Sequence, residues 1–466
     1  MTETLARQLA EFAVDSYRSA LPAPAAAASQ KSILDTVGVA LAGSDEDATS
    51  VAREVMASQG GRAEATVFRS DGLRLPAAAA AMVNGTMAHA LDFDDTHLPS
   101  ILHPSASVVP TVLAVAESEG SSGAEALAAA AIGAEITCRL GMAAFDPALR
   151  NSIFFERGLH ATSICGTIGS AVAAALLMGA DAATVSHTIG IAASMGAGLL
   201  EANRTGGTVK RTHCGWAAHS GISAARFAVG GLTGPPTVLE GRFGFFEAYT
   251  GGRFDAEALV GDLGERWEMA RLFTKPYPTN HFTHAGIDGA LALRDRGVDP
   301  GQITEIELGV PAPVLRTIAE PSDDKAQPRS GYHARFSGPF TVAAAFVGGG
   351  GLGVTADDFT DESVLDPERQ RLAALVRCFA DEEATAGFPA QFPAVLRVAL
   401  SDGTRLEHRV RYTRGGPENP LSAQDLALKF RLNAEPVIGA ERTSEVIVQI
   451  EALGDRPSVA GIASAL

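Results

Sequence analysis

The residues best suited to chemistry lie in one stretch, residues 89–110, which reads HALDFDDTHLPSILHPSASVVP. It holds three aspartates, three histidines and a threonine between two apolar stretches with helical periodicity. Histidine and carboxylate side chains in one place are suited to moving protons near neutral pH. His103 and Asp92 are therefore the first catalytic candidates, with His103 as the proton carrier and Asp92 orienting its ring. The structural alternative is that the aspartates only cap helix ends.

Two more candidates share the position of His103 at the start of a predicted helix. His103 precedes a proline, which favours extended backbone, and Ser105 or Ser107 is predicted to cap the helix that follows. His160 and Lys210 also lie just before helical patterns. Helix N-termini favour anions, so His103, His160 and Lys210 together predict a pocket for a carboxylate.

The sequence offers little support for a metal or cofactor site. His97 and His103 lie near aspartates that could ligate a divalent ion, but no paired histidine motif or cysteine pair accompanies them. The glycine-rich stretch 347–354 follows a helical pattern and not a strand, which predicts a helix end and not a phosphate-binding loop. The sequence therefore predicts an activity with no metal and no organic cofactor.

The predicted secondary structure changes along the chain from helical to mixed α and β, and then back to helical. Alternating strand patterns at 303–312 and 394–412, the second with a hairpin signal at Asp402-Gly403, follow a long helical region and precede a helical C-terminus. This predicts a mainly α fold, with a large all-helical domain formed from both chain ends (1–270 and 412–466) and an inserted α+β lid domain (271–411). Helical periodicity in the first region is predicted at 4–18, 24–42, 47–58, 75–91, 106–119, 123–145, 159–179, 182–200 and 214–229, and within the insertion at 283–296, 338–348 and 367–378.

Composition excludes some partners. The formal net charge of -17, with no run of Lys or Arg, argues against nucleic acid. Four cysteines are scattered singly, which fits a reduced cytoplasmic setting. Residues 161–200 hold a single formal charge, but their Ala, Gly, Ser and Thr content and the break near Asp181 favour buried helices over a membrane span.

Four motifs, in order along the chain, resemble the MmgE/PrpD family, which includes 2-methylcitrate dehydratase, cis-aconitate decarboxylase and an iminodisuccinate epimerase. They are HALDFDDTH…HPSASVVPTVLAVAE, GLHATSICGTIGSA, GGTVKRTHCGWAAHSG and KPYPTNHFTHAGIDGA. The resemblance implies a homodimer with the two-domain subunit described above. By position in the motifs it also implies the following active-site residues: Asp92, Thr96, His103, His160, Lys210 and Lys275.

Some residues depart from the family pattern or extend it. In the decarboxylase branch the lid motif carries a histidine where this chain has Asn280, with His281 and His284 beside it, which argues against decarboxylation. His281 is retained as a substrate-binding candidate. Arg204 and Arg335 could each bind a carboxylate through a bidentate fork, or else form surface ion pairs.

The family reactions share one difficulty, which is proton transfer at a carbon next to a carboxylate. Lys210 and Lys275 are suited to stabilising the charge that develops there, and His160 to protonating a leaving hydroxyl or binding a second carboxylate. The sequence therefore predicts a cofactor-independent lyase on a small di- or tricarboxylate, with dehydration of a 2-methylcitrate-like acid as the leading reaction. Epimerisation, decarboxylation and a binding protein without turnover stay open as alternatives.

Overall fold

The computed structural model describes residues 3–69, 72–202 and 207–466, which form two compact units. The helical unit is built from the described residues of Met1–Ala90, Asp94–Leu272 and Asn433–Leu466, so that both chain ends contribute. The α+β unit is built from Leu91–Phe93 and Phe273–Leu432. The predicted fold class, mainly helical with a smaller α+β portion, is confirmed.

Helices account for most of the chain. In chain order they are α1 (Leu5–Arg18), α2 (Ala23–Ala42), α3 (Asp47–Ser58), α4 (Ala77–His89), α5 (Ser105–Glu119), α6 (Gly123–Ala143), α7 (Ile153–Glu156), α8 (Ala161–Leu177), α9 (Ala182–Ala192), α10 (His213–Val229), α11 (Phe245–Thr250), α12 (Ala256–Val260), α13 (His284–Asp295), α14 (Leu315–Ile318), α15 (Ser322–Ala326), α16 (Gly331–Ala334), α17 (Gly338–Val347), α18 (Pro367–Leu375), α19 (Glu382–Gly387), α20 (Ala423–Ile438), α21 (Ala440–Glu451) and α22 (Ala460–Ala465). Among the sequence expectations, the helix predicted at 182–200 ends early, at Ala192. Gly196 and Gly198 follow that end, where Gly198 adopts a φ of 157°.

Small residues let the central helices of the helical unit approach closely. A Cβ atom added at Gly215 of α10 would lie 2.1 Å from the carbonyl oxygen of Met82 in α4. A Cβ atom added at Gly169 of α8 would lie 1.9 Å from Thr137 Oγ1 in α6. Both distances are far inside van der Waals contact, so glycine is required at these crossings. The N-terminal ends of α8 and α10 lie beside the C-terminal end of α4, where His89 is 5.5 Å from His160 between ring centroids and near Cys214.

One helix among the described residues, α6, is long and apolar enough to cross a membrane. Of its most apolar 18-residue window, 94% is buried inside the protein, as expected for a central helix of a folded core. The stretch 161–200, which has the low charge of a membrane span, contains the shorter helices α8 and α9.

Eight strands among the described residues form two short antiparallel pairs and one sheet. In the two short pairs, β1 (Ala65–Thr66) lies against β2 (Arg74–Leu75), and β3 (Phe145–Asp146) against β4 (Asn151–Ser152). The sheet has the order β6 (Val376–Ala380), β5 (Ile303–Val310), β7 (Ala394–Leu400), β8 (Arg405–Val410). Strands β7 and β8 form the predicted hairpin, and Gly403 takes a φ of 87° in its turn.

The sheet also explains where one helix expectation is wrong. The predicted helix at 367–378 ends at Leu375, and its last residues begin β6 instead. Strand β6 pairs in parallel with Ile306–Val310 of β5, and this pairing overrides the local helical pattern.

Candidate active site

His103 is fixed in one protonation pattern by the loop before α5. Its Nδ1 lies 2.6 Å from the backbone carbonyl oxygen of Asp95, and 3.4 Å from Thr96 Oγ1. Because a carbonyl oxygen can only accept, Nδ1 must carry the proton, and in the neutral ring Nε2 holds the lone pair. The side chain is 16% exposed, so Nε2 belongs to a group that solvent or a small substrate can reach. His103 is thus suited to taking up and releasing a proton at Nε2.

Asp95 supplies the cap of α5 that the sequence analysis expected from Ser105 or Ser107. Ser105 is the first helical residue, and it donates to Asp95 through its backbone N–H (3.3 Å) and its hydroxyl (2.5 Å). Burial raises the pKa of Asp95 to about 7, although the bonds from Ser105 oppose the rise; the neighbouring charges of Asp94 and Asp35 add to it. The structural alternative for the aspartates therefore holds for Asp95, which anchors the carbonyl that in turn holds His103.

His89, which the sequence analysis did not select, forms the most deeply buried polar pair of this region. It is the last residue of α4, and its Nδ1 lies 2.7 Å from Oδ2 of Asp94, with both side chains at most 1% exposed. The same Asp94 oxygen lies 3.9 Å from Nδ1 of His103. The Asp94 carboxylate is therefore hydrogen-bonded to His89 and lies within ion-pair distance of His103.

His160 and His213 form a second buried pair. Their Nδ1 atoms are 2.9 Å apart, so one ring must donate and the other accept. Burial is the largest cause that holds the pKa of His160 well below its ordinary value, and the charge of His89 is the next. Burial, His89 and Lys210 lower the pKa of His213 to about 4. Both rings are neutral at pH 7 and act there as hydrogen-bonding groups.

These four histidines (His89, His103, His160 and His213) lie together with Asp94, and we call the five residues the histidine cluster. The His89 ring centroid lies 5.6 Å from that of His103 and 5.5 Å from that of His160, and the His160 and His213 centroids are 5.0 Å apart. Three of the predicted site residues lie at or near helix starts, as the sequence predicts. His103 lies two residues before α5, His160 is the N-cap residue of α8, and Lys210 lies in a 3-10 turn that leads into α10.

One part of this cluster has the residue types of a metal site. His89, Asp94 and Cys214 offer ligand atoms within 4.8 Å of one another, all buried. Two ligands of one tetrahedral zinc, each about 2.0–2.3 Å from the metal, lie more than about 3 Å apart. The 2.7 Å separation of His89 Nδ1 and Asp94 Oδ2 is instead that of a hydrogen bond, so we assign the pair as hydrogen-bonded and not as metal ligands.

In the α+β unit, three buried cations converge on the segment Leu91–Phe93; we call them the cation cluster. Arg335 Nη1 donates to the carbonyl oxygen of Leu91 (3.2 Å), Lys275 Nζ to that of Asp92 (2.5 Å) and Lys429 Nζ to that of Phe93 (3.5 Å). Lys275 also lies 3.7 Å from the Asp92 carboxylate. Asp92 has a φ of 55°, in the left-handed region that non-glycine residues seldom adopt. Donors to three consecutive carbonyls hold this turn.

The lid motif histidines are buried among aromatic rings of the same unit. The His281 ring centroid lies 4.0 Å from that of Phe273, and 5.0 Å from that of His284. Burial, followed by the charge of Lys275, lowers the pKa of His284 to about 3, so this ring is neutral. Asn280, which stands where the decarboxylase branch has a histidine, caps the next turn by accepting from the N–H of Phe282 at 3.2 Å.

The predicted site residues therefore fall into two groups. Thr96, His103, His160 and Lys210 lie in the helical unit, and Asp92, Lys275, His281 and Arg335 lie in the α+β unit. Arg204 lies outside the described residues. Within the helical unit, the Asp95 carbonyl orients the His103 ring, and the role expected of Asp92 stays a prediction. Sequence reasoning missed His89, His213 and Lys429; the first two lie inside the quoted motifs, but Lys429 carries no local signal.

Comparison with known proteins agrees with this fold and these motifs. The chain matches the family models for the MmgE/PrpD N-terminal domain over residues 7–257 and the MmgE/PrpD C-terminal domain over residues 277–453. The chain belongs to the MmgE/PrpD family. This membership supports a lyase activity.

Curated relatives match over most of their length. Human cis-aconitate decarboxylase is 29% identical over 433 residues, which cover 92% of this chain and 87% of that protein. The mouse cis-aconitate decarboxylase is 28% identical over 92% of this chain and 86% of its own length. Cis-aconitate decarboxylase of Aspergillus terreus is 26% identical over 80% of this chain and 78% of its own length.

Proposed function

We propose that this chain is a lyase that transfers a proton at a carbon next to a carboxylate of a small tricarboxylate, with decarboxylation of cis-aconitate as its first candidate reaction. The observation that carries the proposal is the hydrogen bond between His103 Nδ1 and the Asp95 carbonyl. It leaves Nε2 as the atom that exchanges a proton, in a side chain with partial exposure. The similarity to three cis-aconitate decarboxylases over 80–92% of this chain supports the choice of substrate.

The reaction needs one proton and no leaving-group acid. In cis-aconitate, the bond between the methylene carbon and its carboxylate breaks, and its electron pair forms a new double bond to the central carbon. The former double bond takes up a proton at the carbon that bears another carboxylate. One CO₂ leaves, one proton is consumed, and an unsaturated five-carbon dicarboxylate remains. Protonated His103 would deliver this proton from Nε2.

The remaining groups are suited to the charge of the substrate. A tricarboxylate needs cationic partners despite the net charge of -17. Lys210 in the helical unit and Lys275, Arg335 and Lys429 in the α+β unit are the cations proposed for this role. The neutral rings of His160 and His213 would donate or accept hydrogen bonds with substrate oxygens, which fits their lowered pKa values better than permanent charge would.

Dehydration of a 2-methylcitrate-like acid is the second candidate. It needs one group that takes the proton from carbon and another that gives a proton to the departing hydroxyl. The His89–Asp94 pair favours this candidate, because it is a second proton-holding group 5.6 Å from the His103 ring. The lowered pKa of His160 argues against the role of hydroxyl acid that the sequence analysis gave to that residue.

The test is product analysis by NMR with purified, chelator-treated protein and four substrates in turn: cis-aconitate, 2-methylcitrate, citrate and an imino-dicarboxylate. Terminal alkene signals with release of CO₂ from cis-aconitate are the expected result. An alkene with loss of water from 2-methylcitrate would replace the first candidate with the second. Inversion at carbon without an alkene would favour an epimerase, and silence on all four substrates would overturn the proposal.

The homodimer and the cytoplasmic setting remain part of the proposal. Several large apolar side chains are exposed along and just after α10, which fits a surface that a second copy covers: Trp216, Phe227, Val229 and Leu232. Light scattering on the purified protein checks the dimer, for which twice the 48.1 kDa chain mass is expected.

A further inference from the structure

His89 has features that packing alone does not explain. Its side chain is 1% exposed, and Nδ1 is held by Asp94. Its Nε2 is buried, and among the described residues it has no hydrogen-bond partner. A buried polar atom without a partner is costly, so its retention points to a use that a purely apolar ring could not serve.

The position of the ring indicates that use. The His89 ring lies between those of His103 and His160, at 5.6 Å and 5.5 Å. Through Asp94 it shares a carboxylate oxygen with His103, at 2.7 Å and 3.9 Å from the respective Nδ1 atoms. A proton on His89 is therefore close to both neighbouring rings and affects both of them by charge.

Several groups around His89 compete for protons. The charge of His89 opposes protonation of both His160 and His213. Among the described residues, the titratable groups next to this ring are Asp94 and His103 of the loop, His160 at the start of α8 and Cys214 of α10, and Lys210 and His213 act on the neighbouring His160.

We propose that His89, held by Asp94, is a positioning residue that keeps the exchangeable proton on His103 and keeps His160 neutral. The inference rests on the proposed function and deepens it. With Asp94 as its fixed acceptor, His89 carries a proton at Nδ1, and any positive charge on its ring disfavours a second cation at His160. His103, with its own acceptor at the Asp95 carbonyl, then remains the ring from which a proton moves at Nε2.

The main test compares His89→Phe, which keeps ring volume but no nitrogen, with wild type between pH 5 and 9. We expect kcat to fall at least about tenfold with KM within about threefold, as for lost proton-transfer alignment. We also expect the acid limb of kcat/KM to move to higher pH, because His160 becomes easier to protonate without the opposing charge of His89. Wild-type kcat with an unchanged pH profile would overturn the inference.

Two further variants keep the result interpretable. His187 is a half-buried histidine of α9 whose Nδ1 lies 3.3 Å from the Gly234 carbonyl oxygen, and His187→Phe should leave the profile unchanged. Asp94→Asn removes the carboxylate but keeps the shape of the partner; it is the variant to measure where His89→Phe does not fold, and it should likewise lower kcat with KM near the wild-type value.

A readout without substrate separates this inference from the proposed function. NMR of ring-labelled histidines follows the titration of His160 and His103 in the protein alone. We expect the His160 signals to titrate at higher pH in His89→Phe than in wild type. Identical titration of both rings in the two proteins would overturn the role of His89, whereas lack of turnover by wild type on every acid would overturn only the proposed function.

Discussion

The histidine cluster of the helical unit and the cation cluster of the α+β unit are both buried, but they hold charge in different ways. In the first, burial and the charge of His89 keep His160 and His213 neutral, and a single carboxylate, Asp94, lies 2.7 Å from His89 and 3.9 Å from His103. In the second, Lys275 and Lys429 donate to backbone carbonyls, and Lys275 also lies 3.7 Å from the Asp92 carboxylate. The difference matches the roles proposed above: groups with adjustable charge for proton transfer, and groups with permanent charge for an anion.

The largest expected effect is on kcat, and it distinguishes His103 from His97, which lies in the same loop. His103→Gln should lower kcat by roughly 10²-fold or more, with thermal stability near that of wild type, because it removes the proton carrier. Steady-state kinetics and a melting curve on the same preparation check this. Near-normal turnover would remove His103 from the mechanism.

The matched control is His97, which is fully buried with Nδ1 2.8 Å from Ser100 Oγ and Nε2 3.4 Å from Glu268. His97→Gln should lower the free energy of unfolding by about 1–3 kcal/mol and leave kcat within about threefold, because it leaves buried partners unsatisfied. A kcat loss as large as that of His103→Gln would show that the loop as a whole, and not His103, limits the reaction.

The second effect concerns pH and stability. The pKa of Asp95 is raised to about 7 in the folded protein from 3.8, so the folded state binds more protons than the unfolded state between these values. The contribution of Asp95 is therefore fully present below about pH 4 and is lost as the pH rises through 7. In Asp95→Asn this loss should disappear. The change in the free energy of unfolding between pH 5 and pH 8 should therefore differ from that of wild type by about 2 kcal/mol or more. Urea unfolding of both proteins at pH 5 and pH 8 measures it; parallel pH dependences would contradict the buried, proton-holding Asp95.

A third effect tests the permanent charges. Lys275→Met should raise KM for a tricarboxylate by about tenfold or more, because it removes a buried cation proposed to attract the substrate. Lys325 is a comparable buried lysine of the α+β unit that donates to the Phe336 carbonyl oxygen at 2.8 Å. Lys325→Met should affect stability and leave KM near the wild-type value. Equal KM values in the two variants would remove Lys275 from substrate binding.

The smallest expected effect is that of Thr96. Its hydroxyl lies 3.4 Å from His103 Nδ1, a longer contact than the 2.6 Å contact with the Asp95 carbonyl. Thr96→Val keeps the shape and removes the hydroxyl, and should lower kcat by about threefold. A loss comparable to that of His103→Gln would mean that Thr96 contacts the substrate itself.

Features that depend on neighbours in the chain could be predicted from the sequence, whereas features that depend on distant contacts could not. His103, which precedes a proline and a helix, and the hairpin at Gly403 depend on neighbours in the chain, and both lie where the sequence predicts. His89 was missed because its partner, Asp94, lies five residues on, beyond the end of α4, where helical spacing no longer applies. Lys429 meets Phe93 across 336 residues of sequence, and such a contact leaves no local pattern.

The central claim is that this chain moves a proton at a carbon next to a carboxylate through His103. The most direct measurement is the reaction of cis-aconitate in D₂O, with the product examined by NMR and mass spectrometry for wild type and His103→Gln. The account predicts one deuterium per product molecule, at the methylene carbon beside a carboxylate, formed at least about 100-fold more slowly by the variant. Product without deuterium at that carbon, or equal rates for the two proteins, would contradict it.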